Sequence, residues 1–200
     1  MKITNIKQQE KRKDRYSIFI DDTYEFSLSE TALLEQKLVR GQELGKEELR
    51  SFKKLSVDDK VYGNVLRYLS LRSRSTWEIE NYLHRKKVDE PVVQKILTKL
   101  TTLGLVNDAT FARSWVENRR LLKPVSRRRL VQELKQKRVP EDIIKQALAE
   151  DEVNEVETLR ELVAKKRRQS KYQTDKLKLM QYLARQGFNY DDIKQVVEES

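Results

Sequence analysis

The side chains able to perform acid–base or metal chemistry are few and scattered. Among the 200 residues there is one histidine, His84, and no cysteine. A structural zinc site draws four ligands mostly from Cys and His, so that class is excluded. Disulfides are impossible, which suits a reducing compartment. His84 stands among Arg85, Lys86 and Lys87 near the end of a predicted helix, where the dipole favours a cation. The paired acids Asp21-Asp22, Asp58-Asp59 and Asp191-Asp192 fall at expected turns and helix starts. They read as turn and cap residues rather than as a two-metal site. The glycines Gly41, Gly45, Gly63, Gly104 and Gly187 form neither a phosphate-binding loop nor a dinucleotide fingerprint. With no nucleophile–base or metal constellation, the expectation is a protein that is not an enzyme and uses no cofactor or metal.

Positive charge is the chemistry that remains. The formal net charge is +10, which suits a polyanion or an acidic surface as partner. Half of that excess lies in residues 108–150, with eleven Lys and Arg against six Asp and Glu. Arg113, Arg119, Arg120 and Lys123 belong to one predicted helix and its exit. Arg127, Arg128 and Arg129 open the next helix, and Lys135 and Lys137 continue it. Three arginines at a helix N-terminus oppose the macrodipole, at a cost of roughly a few tenths of a kcal/mol each. A binding role would explain that cost; the other account is a solvated face with local pairs such as Arg129 to Glu133. Arg72 and Arg74, in an interhelix turn, complete the candidate binding set. Lys11-Arg12-Lys13 is expected at a loop tip, and Lys165 to Arg168 complements a helix C-terminus. Trp77 and Trp115 lie on apolar helix faces and are assigned to the core.

The elements that carry these residues repeat. Ile79, Leu83, Val88, Val92, Val93, Ile96 and Leu97 recur as Leu130, Leu134, Val139, Ile143, Ile144, Ala147 and Leu148, and again as Leu179, Leu183, Phe188, Asp192, Ile193, Val196 and Val197. The offsets are near 50 residues, and Asp192 is the one polar exception. The first two positions lie four apart on one helix face, the third sits in a break, and the last four line a second helix. Ser75 with Glu78 has capping-box spacing; Ser126 and Thr174 are expected to cap the matching helices. Asp89, Pro140 and Asn189 begin the last helix of each copy. Gly187 sits where a helix exit often needs positive φ, and Lys87 and Arg138 hold that place in the other copies. A non-glycine residue there would cost about 1 kcal/mol, so those turns are expected to differ. Gly104 is expected to end a helix in the same way.

A further helix precedes each pair, over 59–71, 108–122 and 151–171. Three tandem three-helix repeats result, at residues 58–107, 108–150 and 151–200. Residues 1–57 differ. The segments 15–20 and 23–28 alternate around Asp21-Asp22 and predict a β-hairpin with a two-residue turn. Ile3 to Gln8 adds a third strand, and short helices follow over 30–39 and 46–55. The expected fold is mainly α: three three-helix repeats forming an elongated, curved body after a small N-terminal hairpin and two short helices. No stretch approaches the apolar length of a membrane span, and the first residues do not begin a signal peptide. A cytoplasmic, monomeric protein with no membrane contact is expected.

The run Leu103-Gly104-Leu105-Val106-Asn107-Asp108-Ala109, followed by Phe111-Ala112, Ser114-Trp115-Val116 and Arg119-Arg120, resembles the RecX family, bacterial regulators of the RecA recombinase. Leu130, Glu133, Leu134, Lys137, Arg138 and Val139 continue the likeness, as do Leu66, Leu69, Arg72, Arg74, Ser75 and Glu78 in the first repeat. The match covers about residues 58–200; residues 1–57 are similar to the N-terminal extension of longer members. The family pattern would place glycine at Arg138 and in the turn around Lys123-Pro124. The resemblance implies a regulator, mainly an inhibitor, that binds the RecA–single-stranded DNA filament. It implies suppression of ATPase, strand-exchange and co-protease activity, and so modulation of the SOS response and homologous recombination. Arg119, Arg120, Arg127, Arg128 and Lys135 would carry the contact, and single-stranded DNA would be met directly or through RecA. The alternative is a direct DNA-binding protein acting without RecA, since paired helices can imitate a helix-turn-helix.

Overall fold

A computed structural model of the chain describes residues 1–122 and 124–199. It divides into two compact units, Met1–Arg72 and Ser73–Ser200. Among the described residues it is mainly helical, with a small antiparallel sheet near the N-terminus.

In the first unit, strands β1 (Ile3–Gln8), β2 (Arg15–Ile20) and β3 (Thr23–Ser29) form an antiparallel sheet in the order β1-β2-β3. Asp21 and Asp22 turn the hairpin with φ of 46° and 64°, the left-handed pair that matches strand twist and that Asp tolerates. Ile3, Ile18, Ile20, Phe26 and Leu28 bury one face against Ala32, Leu38 and Leu44. Helix α1 (Glu30–Glu35) is shorter than the expected 30–39; it stops before Lys37, whose φ is 50°.

The largest departure is α2 (Lys46–Ser70), one helix where two were expected. No proline interrupts it, and Asp58-Asp59, read as a start signal, is interior. Asp59 points at the sheet instead. Its carboxylate accepts from the Arg15 guanidinium at 2.7 Å, the Ser29 amide at 2.8 Å and the Ser29 hydroxyl at 2.5 Å. The Arg15 side chain is 2% exposed and that of Asp59 9%. Such a pair is tolerated out of water only because further hydrogen bonds satisfy it. The Ser56 hydroxyl adds a bond to the Ser27 carbonyl at 2.6 Å.

The second unit holds α3 (Thr76–Arg85), α4 (Glu90–Thr102), α5 (Asp108–Leu122), α6 (Arg127–Gln136), α7 (Glu141–Ala149), α8 (Glu155–Arg167), α9 (Ser170–Gln173), α10 (Lys176–Arg185) and α11 (Tyr190–Glu198). The repeating apolar positions are its interior. Leu130, Leu134, Val139, Ile144, Ala147 and Leu148 pack with Phe111, Ala112, Val116 and Val125. Their counterparts in the third repeat pack with Leu159, Leu162, Val163 and Tyr172. The expected helix over 151–171 is in fact α8 followed by the single turn α9. Asn154 caps α8, accepting from Val156 and Glu157, and so sets its start.

The helix exits are alike where they were expected to differ. Lys87, Arg138 and Gly187 all have positive φ, at 56°, 55° and 91°. Val88 and Val139 then donate back to Leu83 and Leu134, closing the same C-cap. The first two repeats therefore accept the roughly 1 kcal/mol cost of a left-handed non-glycine residue. Gly104 caps α4 with φ of 67°, as expected.

Candidate functional site

The capping serines do more than begin helices. Ser75 accepts from Glu78 N–H, completing the expected capping box, and its hydroxyl donates to the Lys137 carbonyl at 2.9 Å. Ser126 accepts from Arg129 N–H and donates to the Gln186 carbonyl at 3.0 Å. In both joints a serine that caps the second helix of one repeat grips the exit of the second helix of the next. A carboxylate reinforces each: Asp108 accepts from Thr76 N–H at 2.8 Å, and Glu155 from Arg127 N–H at 3.2 Å. The third repeat departs. Asp175, not Thr174, caps α10, and its carboxylate accepts from Lys178 N–H at 2.9 Å. Both residues are competent caps, and the sequence reading took the wrong one.

Gly187 belongs to the second joint. A β-carbon there would overlap the Ser126 hydroxyl and press on Arg129. Glycine is thus required twice, by its φ and by the approach of one repeat to the next.

Between the joints lies a network around Glu133, whose side chain is 10% exposed. One of its oxygens accepts from the Trp115 indole N–H at 3.0 Å and from Arg119 Nε at 2.8 Å. Arg129 approaches the other oxygen at 3.4 Å. The Arg119 guanidinium lies over the Trp115 ring, 5.2 Å from its centre, and the Lys137 ammonium lies 5.3 Å from it. Lys137 also donates to Glu78 at 2.7 Å. Trp115 packs on the core, as assigned, while its ring edge serves this polar network.

The predicted basic set therefore separates by role. Arg120 clasps Asp151 at 2.6 Å, donates to the Val125 carbonyl at 2.7 Å and keeps 10% of its side chain exposed. Arg119, Arg120 and Lys137 are committed to internal pairs, and Arg129 shares in one. Arg113 stands 3.9 Å from Glu150 in an open pair, and Lys135 pairs with Glu141 on the surface. Arg127 and Arg128 are exposed, and their guanidinium groups have no ionic partner among the described residues. Arg72 is exposed and Arg74 half-buried, in the segment before α3, and each takes part in an interaction. Lys123 lies outside the described residues.

Of the two unpartnered arginines, Arg127 borders a groove. Arg127, Lys135, Glu141 and Lys145 stand around Val131, Ile144 and Leu148, between α6 and α7, enclosing about 430 Å³. The side chain of Glu141 titrates below the ordinary glutamate range, chiefly because Lys135 donates to it. The groove can hold an anionic group at its rim and an apolar group on its floor. Sequence reading missed it because Lys145 lies on the following helix, outside the basic run.

The matching face of the first repeat differs. There Glu80, His84 and Glu90 bring one donor atom each within 4.8 Å of one another, a set that could hold a divalent cation. His84 Nε2 already lies 2.9 Å from Glu90.

Comparison with known proteins agrees with this architecture. Residues 1–45 match the regulatory protein RecX N-terminal domain; 62–100, 107–148 and 153–197 match the first, second and third three-helix domains of RecX. The chain is 39% identical over 116 residues to regulatory protein RecX of Lactobacillus gasseri, covering 58% of this chain and 42% of that protein. It is 35% identical over 119 residues to regulatory protein RecX of Listeria monocytogenes serotype 4a, covering 60% and 44%. The matched segment thus spans less than half the length of these relatives. A crystal structure of regulatory protein RecX superposes with a TM-score of 0.72 at 27% identity, covering 100% of this chain and 99% of that one. RecX from Lactobacillus salivarius superposes with 0.58 at 28% identity, covering 71% and 95%. Four domain matches in chain order, laid over the repeats and joints described above, place this chain in the RecX family of regulatory proteins.

Proposed function

We propose that this chain is a non-enzymatic regulator of RecA that binds the RecA–single-stranded DNA filament and lowers its ATPase, strand-exchange and co-protease activity. Family membership supports RecA as the target. The observation that carries the contact surface is the pair of unpartnered guanidinium groups, Arg127 and Arg128, at the start of α6. They oppose the helix dipole and take no internal counter-charge among the described residues, so folding does not account for them. Lys135 and Lys145 extend the same positive surface along α6 and α7. Contact here would act by binding, held by charge and shape without any bond being made or broken.

The test is RecA ATPase on single-stranded DNA with sub-stoichiometric amounts of this chain, at two salt concentrations. Strong inhibition that weakens with salt is expected. Unchanged ATPase, with tight salt-dependent binding to bare DNA, would replace this reading with direct DNA binding.

A further inference from the structure

We propose that the groove between α6 and α7 receives an acidic polypeptide segment bearing a large apolar side chain, presented by a protein subunit and not by nucleic acid. The inference deepens the proposed function and rests on it. Arg127, Lys135 and Lys145 outnumber Glu141 on the rim, so an anionic occupant is favoured. Lys135 and Glu141 already pair, which leaves Arg127 and Lys145 to meet acidic groups. Val131 is half-buried above Ile144 and Leu148, so the floor is apolar.

Each candidate occupant can be weighed against both features. A phosphate backbone would satisfy the rim and leave the floor wetted. A base would seek a ring to stack on, and the lining contains no aromatic residue. A polypeptide with carboxylates flanking a leucine or an aromatic residue uses rim and floor together, as buried anchors ringed by polar contacts do at protein interfaces. The volume of about 430 Å³ leaves room for more than one apolar side chain.

A rim of three basic residues at these positions is particular to the middle repeat. At the positions of Val131, Lys135 and Glu141 the first repeat has Glu80, His84 and Glu90, and the third has Met180, Ala184 and Tyr190. The positions of Arg127 and Lys145 are Thr76 and Gln94 in the first repeat and Lys176 and Lys194 in the third. The third face thus keeps two lysines, of which Lys176 lies 3.9 Å from Glu198, and the second alone adds a third basic residue, Lys135.

The experiment uses the full chain with a photoreactive benzoylphenylalanine at Val131, and in a second variant at the exposed Lys145. Each variant is irradiated on RecA–single-stranded DNA filaments, and the adducts are mapped by mass spectrometry. An adduct to RecA, in a segment with acidic residues around a large apolar one, is expected from both positions. V131S should weaken inhibition about tenfold without changing its salt dependence, whereas K145Q should make that dependence shallower. An adduct to the DNA strand, an adduct to a protein segment without acids, or undiminished inhibition with no adduct would overturn the groove assignment while leaving RecA regulation standing. An unmodified chain that leaves RecA ATPase unchanged would sink both.

Discussion

The Ser126 hydroxyl donates to the Gln186 carbonyl 60 residues away, while its oxygen accepts the Arg129 amide. One side chain thus serves a helix start and a joint between repeats. S126A should destabilise the protein by about 1–2 kcal/mol, the sum of a lost cap and a lost inter-repeat bond. S126D keeps a cap acceptor but sets a buried carboxylate against the Gln186 carbonyl, so its loss should exceed that of S126A. Chemical denaturation of the three proteins measures this.

Gly187 occupies the other side of that joint. G187A combines a left-handed backbone with overlap on the Ser126 hydroxyl, so a loss of more than about 1 kcal/mol is expected. Removing the hydroxyl relieves the overlap. In a double-mutant cycle G187A should therefore cost less in the S126G background than in the native one. Additive losses would show that the two residues do not meet.

The arginines of the middle repeat should divide by phenotype. R120A strands the buried Asp151 carboxylate and should cost about 3 kcal/mol or more in unfolding free energy. The double reversal R127E/R128E should lower stability by no more than roughly 0.5 kcal/mol, because both groups are exposed and unpartnered and acids complement the helix dipole at the start of α6. It should weaken inhibition of RecA at least tenfold. Unaltered inhibition by that variant would remove these residues from the contact.

Glu90 offers a titration test. Its carboxyl is held below the ordinary glutamate range, first by the Gln94 amide and then by the His84 ring. A depressed carboxyl contributes stability above its unfolded pKa and loses that contribution as pH falls through the folded one. Q94A should raise the Glu90 pKa more than H84A does, read from its side-chain carboxyl signal by NMR. The opposite order would make the histidine the main partner.

How much of this was legible follows from distance along the chain. The repeats were readable because a helix writes its apolar face at three- and four-residue spacing, from Ile79 to Leu83 and from Leu130 to Leu134. The unity of α2 was not, because Asp58-Asp59 looks like a cap and the Arg15 that claims Asp59 lies 44 residues earlier. The division of the arginines was hidden for the same reason. Arg120 finds Asp151 31 residues away and Arg119 finds Glu133 14 away, so composition alone made all of them look available. The helix exits at Lys87 and Arg138 were misjudged because propensity sets a cost without fixing whether packing outweighs it.

Asp175 changes what the last joint position can do. A carboxylate caps α10 as a hydroxyl would, but it has no hydrogen to give away. Hydrogen bonds from the Lys178 amide and ammonium hold it below the ordinary aspartate range, so it stays charged at neutral pH. A second chain offering a helix-exit carbonyl to this position would set oxygen against oxygen. Its counterparts Ser75 and Ser126 donate to such a carbonyl within the chain. The position that joins repeats at Ser75 and Ser126 thus offers no hydrogen at Asp175.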